Sequence, residues 1–223
     1  MKRYTDPAST ALEGGCGLGQ WVWLMHRRGQ EIIGVDYAQK TVERIRSLAP
    51  ELDIRVGDVF SLDFPDGHFG TYYSWGVAEH FEEGPHRLIA EAFRVLKPGG
   101  RLLISVPYYN PRRKRLHANE ARVGSGDFYQ YAFDKAEFTA ALKSAGFIVE
   151  RNYKLNWIKG FKEKPFVPTH AAPKTGPAKK TLAHHSNESP LRKAAKAAVV
   201  WLSDLWPLTE RWGHMILFVA RKP

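Results

Sequence analysis

The run Gly14-Gly15-Cys16-Gly17-Leu18-Gly19, near the start of the chain, most restricts what this sequence can fold into. The apolar-leaning residues 9–13 before it are typical of a β-strand, and residues 20–28 after it have the apolar spacing of a helix. A glycine-rich turn between a strand and a helix lets the backbone approach a ligand closely and presents helix N–H groups to it. The run therefore indicates a binding site for a nucleotide-like cofactor next to the first strand.

Strand-like and helix-like segments continue to alternate through residue 107. Strands are predicted at 31–36, 54–58, 69–75 and 101–107, helices at 38–49 and 86–96, and a turn at 97–100. Such alternation predicts βαβ units and therefore an α/β fold with a parallel sheet covered by helices on both faces. Ligands of these sheets bind beyond the carboxyl ends of the strands, so the residues that follow each strand are the candidate site residues.

The second half of the chain is less regular. Residues 108–126 are polar and basic and are expected to form a loop over the site. Asp134, with Glu137 three residues later, has capping-box spacing and predicts a helix at 134–145, which is followed by a predicted strand at 147–157. The core is therefore expected to continue to the end of this strand.

We divide the chain into a cofactor-binding core at 1–157, an insertion or cap at 158–212, and the final strand of the core sheet at 213–223. Residues 163–190 are rich in Pro, Lys, Thr, Gly and His and are expected to be mobile. Residues 190–205 place apolar side chains on one face, as an amphipathic helix does. The insertion is therefore predicted to be basic, partly mobile and in part helical.

Five motifs, in order along the chain, resemble those of class I S-adenosylmethionine-dependent methyltransferases. The spacing Gly15-x-Gly17-x-Gly19 after Leu12-Glu13 is similar to the first motif of that family, whereas a dinucleotide fingerprint would need a glycine where Gln20 stands. A carboxylate such as Asp36 would suit the ribose of a nicotinamide cofactor as well, and the later motifs favour the methyltransferase family. The four later similarities are Asp36 at the end of the second strand, Gly57-Asp58-Val59, Trp75-Gly76-Val77-Ala78-Glu79-His80, and Arg94-Val95-Leu96-Lys97-Pro98-Gly99-Gly100.

The resemblance implies a Rossmann-like, doubly wound, mostly parallel seven-stranded sheet with a helical insertion before the last strand. It also implies a transferase of one-carbon groups that uses S-adenosyl-L-methionine and releases S-adenosyl-L-homocysteine. The acid matching Asp36 would hold the two ribose hydroxyls, the acid matching Asp58 would meet the adenine amino group, and Glu13 would orient the glycine turn or bind the cofactor's amino group. The expected cofactor-binding residues are Glu13, Gly15, Cys16, Gly17, Gly19, Asp36, Tyr37, Asp58, Val59, Trp75 and Gly76.

The sulfonium methyl of this cofactor is already activated, so in-line transfer needs positioning and, for some acceptors, a base. His80 follows the fourth predicted strand and is the candidate base, with a structural role in its loop as the alternative. We expect no metal ion, because Glu79 is the one carboxylate that we place where metal-dependent relatives cluster several. Four tyrosines are candidates for an aromatic acceptor pocket, with ordinary packing as the alternative: Tyr108, Tyr109, Tyr129 and Tyr131.

The net charge of +10 is unevenly distributed. Residues 1–107 contain 12 Lys and Arg against 14 Asp and Glu, whereas residues 151–197 contain 11 against 2. The basic run 112–115 adds to this excess. Such segments suit nucleic acid, an anionic membrane surface or an acidic substrate, and solvated surface is the alternative. The single cysteine excludes a disulfide framework, and we see no membrane-spanning run or signal peptide, so a cytoplasmic protein is expected.

Three alternatives remain for what the chain does. The first is methyl transfer to a small molecule, with apolar or lipid-like acceptors included, and the second is methyl transfer to RNA or protein through the basic segments. The third is cofactor binding without catalysis. Related enzymes carry helices before the first strand that close over the site, so here the lid is expected from residues 108–126, from residues 158–212 or from a second subunit, unless the site is more open.

Overall fold

A seven-stranded β-sheet forms the centre of the computed structural model, which describes residues 4–116, 130–156 and 213–223. The strands are β1 Ala11–Gly14, β2 Ile32–Asp36, β3 Asp53–Val56, β4 Phe69–Trp75, β5 Leu96–Pro107, β6 Ile148–Leu155 and β7 Met215–Arg221. They lie in the order β3-β2-β1-β4-β5-β7-β6. β7 runs antiparallel to β5 and β6, and the pairs among β1 to β5 are parallel. The prediction of a mostly parallel, seven-stranded α/β fold is confirmed.

Helices cover both faces of this sheet. They are α1 Gln20–His26, α2 Gln39–Leu48, α3 His86–Val95, α4 Pro111–Leu116 and α5 Lys135–Ser144. Apolar side chains of α1 and α2 pack with Tyr73 and Leu103 on one face, whereas those of α3 and α5 pack with Tyr72 and Leu102 on the other. Because neighbouring residues of β4 and β5 enter different cores, these strands are apolar on both sides, as expected for a doubly wound sheet.

Two predicted strand bounds are wrong because side chains form turns there. The first strand begins at Ala11 rather than at residue 9, since the hydroxyl and the N–H of Ser9 bond to Asp6 at 2.6 and 3.2 Å. The third strand ends at Val56 rather than at Asp58. The carboxylate of Asp58 accepts the N–H two residues later at 2.9 Å, which turns the chain away from the sheet.

The predicted turn at 97–100 is a bulge within β5 rather than a break before it. Leu96 still pairs with Phe69, and the pairing resumes between Arg101 and Thr71. Residues 97–100 are therefore extruded opposite a single residue of β4.

The predicted loop at 108–126 is helical in its described part. Asn110 precedes the helix α4, and its side-chain oxygen accepts the N–H of Arg113 at 2.8 Å, as an N-cap residue does. Pro111 then occupies the first helical position, where a missing N–H costs nothing. The expectation of a loop there is wrong, because the polar composition masked this capping signal. The rest of the segment, and the predicted insertion at 158–212, lie outside the described residues.

The loop between β3 and β4 is fastened to α3 by Arg94. The guanidinium donates to the two carboxylate oxygens of Glu91 at 2.7 and 2.9 Å and to Asp66 at 2.7 Å. It also donates to the carbonyls of Leu62 and Phe64 at 2.9 and 2.8 Å. Glu91 in turn accepts the N–H of Leu62 at 2.6 Å. One side chain therefore holds a loop that begins at the carboxyl end of the sheet.

Arg94→Lys should lower the free energy of unfolding by about 1–3 kcal/mol, because a single ammonium group cannot replace the forked guanidinium at two carboxylates and two carbonyls. Chemical denaturation measures the change. Arg44→Lys on the exposed side of α2 is the matched control and should change the free energy by less than about 0.5 kcal/mol. Equal effects of the two substitutions would contradict the anchoring role.

Candidate functional site

The loops after β1 and β4 meet where the strand order reverses. β1 lies between β2 and β4, so the connections from β1 to β2 and from β3 to β4 run in opposite directions across the sheet. A Cβ at Gly15 would lie 2.5 Å from the side chain of Val77, which places the turn after β4 directly against the glycine turn. In doubly wound sheets such a crevice is the usual ligand site.

The glycine turn is tied to the end of β2. The N–H groups of Gly15 and Cys16 donate to the carbonyl of Val35 at 2.8 and 3.0 Å. The N–H of Gly17 donates to Asp36 Oδ2 at 2.8 Å. Gly15 and Gly17 have φ values of 75° and 52°, which residues with a Cβ rarely adopt. The backbone N–H groups of the turn are therefore bound by the end of β2, and its glycines supply the left-handed backbone conformations.

Asp36 is buried, and its carboxylate binds the glycine turn through one oxygen and the chain after β2 through the other. Its second oxygen, Oδ1, accepts the N–H of Ala38 at 3.0 Å. A carboxylate has about four acceptor positions, so each oxygen keeps a lone pair beyond these two bonds. Tyr37, beside it, has 84% of its surface exposed. An acceptor pair next to an exposed aromatic ring suits the diol of a ribose.

Glu13 is a buried carboxyl behind the glycine turn. Its Oε2 has no hydrogen-bond partner in the described part of the chain. Burial raises the pKa of Glu13 to about 8, a backbone hydrogen bond at Val22 in the first turn of α1 lowers it, and the charge of Asp36 raises it. The carboxyl group therefore favours the protonated form in the absence of a positive ligand.

Asp58 and Val59 are adjacent in sequence but differ in burial. Asp58 is exposed at the start of the turn after β3. Val59 is buried in the core shared with Leu12 and Val35. The structure thus leaves Asp58 accessible to a ligand, whereas the side chain of Val59 is packed.

Trp75, at the end of β4, belongs to an aromatic stack. Its ring centroid lies 5.7 Å from that of Tyr73 and 5.4 Å from that of Trp21. Cys16 is buried in the same core, and burial raises the pKa of its thiol. Cys16 is therefore a packed, unreactive side chain beside the turn.

Glu79 and His80 form a single 3₁₀ turn with Ala78, directly after β4. His80 is exposed, whereas Glu79 is 3% exposed and its Oε2 has no hydrogen-bond partner among the residues described. Burial raises the pKa of Glu79 to about 7, while its own backbone and the charge of His80 act in the opposite direction. The sequence analysis included Glu79 in the motif 75–80 and considered it for metal binding, and nothing in the sequence pattern indicates its burial.

Three of the four predicted tyrosines are described, and they lie near the turn after β4 or the end of β5. Tyr131 donates its N–H to the carbonyl of Glu79 and its hydroxyl to the carbonyl of Glu82, both at 2.8 Å. Tyr108 is 9% exposed, and Tyr109 is half-buried. Tyr108 also forms a bridge with Phe133, so these rings lie near the segment that follows β5. Tyr129 lies outside the described residues.

A family model described as a methyltransferase domain matches residues 12–104. A probable S-adenosylmethionine-dependent methyltransferase of Mycolicibacterium smegmatis is 34% identical over 140 residues, which are 62% of this chain and 52% of that protein. The solved structure of a methyltransferase from Methanosarcina mazei has the same fold, with a TM-score of 0.65 at 16% identity over 99% of this chain and 95% of that one. Residues 12–104 belong to the class I S-adenosylmethionine-dependent methyltransferase family.

Two further relatives of the chain have names that specify different acceptors. The 27-O-demethylrifamycin SV methyltransferase of Amycolatopsis mediterranei is 31% identical over 145 residues, 60% of this chain and 52% of that protein. The probable tRNA methyltransferase 9B of Mus musculus is 32% identical over 119 residues, 52% of this chain and 26% of that protein. The chain thus spans about half the length of the two bacterial relatives named here, and the named acceptors include a small molecule and an RNA.

The predicted family and its cofactor, S-adenosylmethionine, are confirmed by these matches. The described residues fit that cofactor, since a Cβ at Gly17 would meet no atom within 4 Å, so the backbone there borders open space. No group of three or more metal-binding side chains occurs in the residues described, and no helix there is long and apolar enough to cross a membrane.

One cluster near the candidate site was missed by sequence reasoning. Arg113 belongs to the basic run 112–115, yet it is 4% exposed. Its guanidinium donates to the carbonyl of Tyr108 at 2.8 Å and lies 2.9 Å from His214 Nδ1. Asn110 donates to the carbonyl of Gly213 at 2.9 Å. The run therefore includes a structural arginine that fastens α4 to the start of β7.

The Glu13→Gln variant should be more stable than the parent at pH 8 and similar to it at pH 4.5, without cofactor. The folded-state pKa of about 8 lies above the reference value of 4.5, so Glu13 costs the parent stability as the pH rises between these values. The difference in unfolding free energy should reach roughly 2–4 kcal/mol at pH 8. Denaturant titrations at both pH values measure it, with Glu51→Gln as the exposed control. A difference that does not change with pH would refute a protonated Glu13.

Proposed function

We propose that the chain transfers the methyl group of S-adenosylmethionine to a small-molecule acceptor by direct in-line transfer. The main support is the charge around the crevice. The loops after β1 to β4, at 14–19, 36–38, 57–61 and 75–85, contain no Lys or Arg. Their carboxylates are Asp36, Asp58, Glu79, Glu82 and Glu83. A polyanion such as RNA is repelled by such a rim, because its binding depends on cations that neutralise phosphates.

The basic run 112–115 gives RNA less support than its composition suggests. Arg113 is buried against backbone carbonyls, and Lys114 forms an ion pair with Asp134 at 2.5 Å. Two of the four cations are thus engaged within the protein. This engagement favours a neutral or positively charged small acceptor over an RNA.

The tyrosines on the far side of the crevice favour an acceptor with an apolar part. Tyr109 and Tyr131 are half-buried, and each combines a ring face with a polar hydroxyl. The relative from Amycolatopsis mediterranei, whose name specifies a rifamycin acceptor, supports a small-molecule acceptor. The alternative acceptor, RNA, is supported by the name of the mouse relative and by the basic segment at 151–197.

S-adenosylmethionine, when bound, supplies a methyl group on a positively charged sulfur that needs no further activation. We propose that Asp36 holds the ribose hydroxyls, Asp58 meets the adenine amino group, and the glycine turn contacts the methionine portion. Trp75 and Gly76, at the end of β4, border that portion. These residues bind and orient, which supplies most of what an in-line transfer requires.

His80 is our proposed proton acceptor for hydroxyl or amine acceptors. Its position one residue after buried Glu79 places it at the edge of the crevice, and its exposure lets it pass a proton to solvent. A base of this type is needed only where the acceptor atom loses a proton as it gains the methyl group.

The acceptor class is tested with radiolabelled S-adenosylmethionine and a cell extract that has been separated into small-molecule, RNA and protein fractions. Calorimetry first establishes that the purified chain binds the cofactor or its product. We expect label in the small-molecule fraction. Label only in RNA or protein would reverse the proposal in favour of the alternative acceptor, and binding of a nicotinamide cofactor instead would overturn both.

His80→Ala should lower the turnover of a hydroxyl or amine acceptor by on the order of 10²-fold, with an unchanged dissociation constant for the cofactor. Steady-state kinetics and calorimetry measure the two effects separately. His26→Ala, in the last turn of α1 and therefore at the other end of the sheet, is the control. Turnover within a few fold of the parent would return His80 to a structural role in its loop.

A further inference from the structure

Two buried carboxyl groups in the described residues have an oxygen without a hydrogen-bond partner, Glu13 on β1 and Glu79 after β4. Such a group is costly, because burial removes its water without supplying another donor. The carboxyl group of Glu13 has a backbone hydrogen bond at Val22, in the first turn of α1. Glu79 belongs to a segment, 75–85, that contains no Lys or Arg. Its missing partner is therefore expected from a ligand.

The carboxyl group of Glu79 lies at the crevice rather than within a distant core. A Cβ at Gly76 would be 3.2 Å from Glu79 Oε1, so the side chain folds back onto the end of β4. The same turn contacts Gly15 through Val77. The N–H of His80 donates to the carbonyl of Val77 at 3.1 Å, which keeps the turn closed. The carboxyl group is thus held on a fixed turn beside the glycine turn.

The cofactor and its product differ in charge at one atom. The sulfur of S-adenosylmethionine is positive, whereas the sulfur of S-adenosylhomocysteine is neutral. A buried carboxylate distinguishes such a pair strongly, because an opposite charge is worth far more where water is excluded.

We propose that the carboxylate of Glu79 is the counter-charge for the methyl-bearing sulfur of the cofactor. This rests on the proposed function, and it adds a role to it. The site then binds S-adenosylmethionine more tightly than a site without this charge would, and loss of the methyl group removes the attraction. The carboxylate thereby favours exchange of the product for new cofactor.

Calorimetry with S-adenosylmethionine and S-adenosylhomocysteine tests this without any acceptor. Glu79→Gln should weaken binding of S-adenosylmethionine roughly tenfold at pH 8, because the attraction between two opposite charges is lost, and should change binding of S-adenosylhomocysteine less than about twofold. Glu83→Gln removes the same charge from an exposed position of the same loop and should change neither. Equal weakening of both ligands, or of neither, would overturn the proposal.

The unmodified chain provides a second arm if Glu79→Gln does not fold. Its affinity ratio, S-adenosylmethionine over S-adenosylhomocysteine, should rise between pH 6 and pH 8 as Glu79 ionises, since both ligands share the same amino and carboxyl groups. His80 in the same turn and Glu13 on β1 are the neighbouring titratable groups, and Glu13→Gln should leave the rise in place. A flat ratio would refute the role of Glu79. Absence of binding of either ligand by the parent would refute the proposed function itself.

Discussion

The contact between the Asp36 carboxylate and the glycine turn is the constraint on which the site depends. The turn has three left-handed glycines, and Cys16 is its one buried side chain, so bonds to β2 are a main determinant of its shape. Asp36 receives the N–H of Gly17 on one oxygen and that of Ala38 on the other, and it remains buried. The same carboxylate that orders the turn is the one that we propose to hold the ribose hydroxyls. Because Val77 rests on Gly15, the turn after β4 depends on this arrangement as well.

The charge of the crevice differs from that of the whole chain, whose net charge is +10. The loops after β1 to β4 contain carboxylates and no Lys or Arg, and three cations of the neighbouring segments are engaged within the protein. Arg94 binds the loop after β3, Arg113 binds backbone carbonyls, and Lys114 binds Asp134. The net charge of the chain therefore does not indicate the charge of this site, which depends on where each cation is bound within the protein. The raised pKa values of Glu13 and Glu79 show the cost of keeping two acids there.

The sheet and the positions of the motifs were predictable because they follow from local patterns. Alternating apolar runs, the glycine turn and the capping pair Asp134–Glu137 each act within a few residues, and the structure contains all of them, including both halves of the capping box. The burial of Glu79 and Arg113 was not predictable in this way. Arg113 is buried because the chain returns at His214, a contact between residues 101 positions apart. Burial of a charged side chain depends on such distant packing, which periodicity within a segment does not report.

The described residues on either side of the segment between β6 and β7 lie at the carboxyl end of β5. β6 ends opposite Met215, and β5 ends opposite the same residue at Pro107, so the chain leaves β6 and enters β7 at the carboxyl end of β5. The N–H of His214 donates to Leu155 at 2.8 Å, and the N–H of Tyr108 donates to His214 at 2.9 Å. The chain therefore leaves and re-enters the described structure beside Tyr108, one of the residues proposed to border the acceptor. The position of these two ends, rather than the basic composition of residues 158–212, is the observation behind the prediction that those residues form a cap.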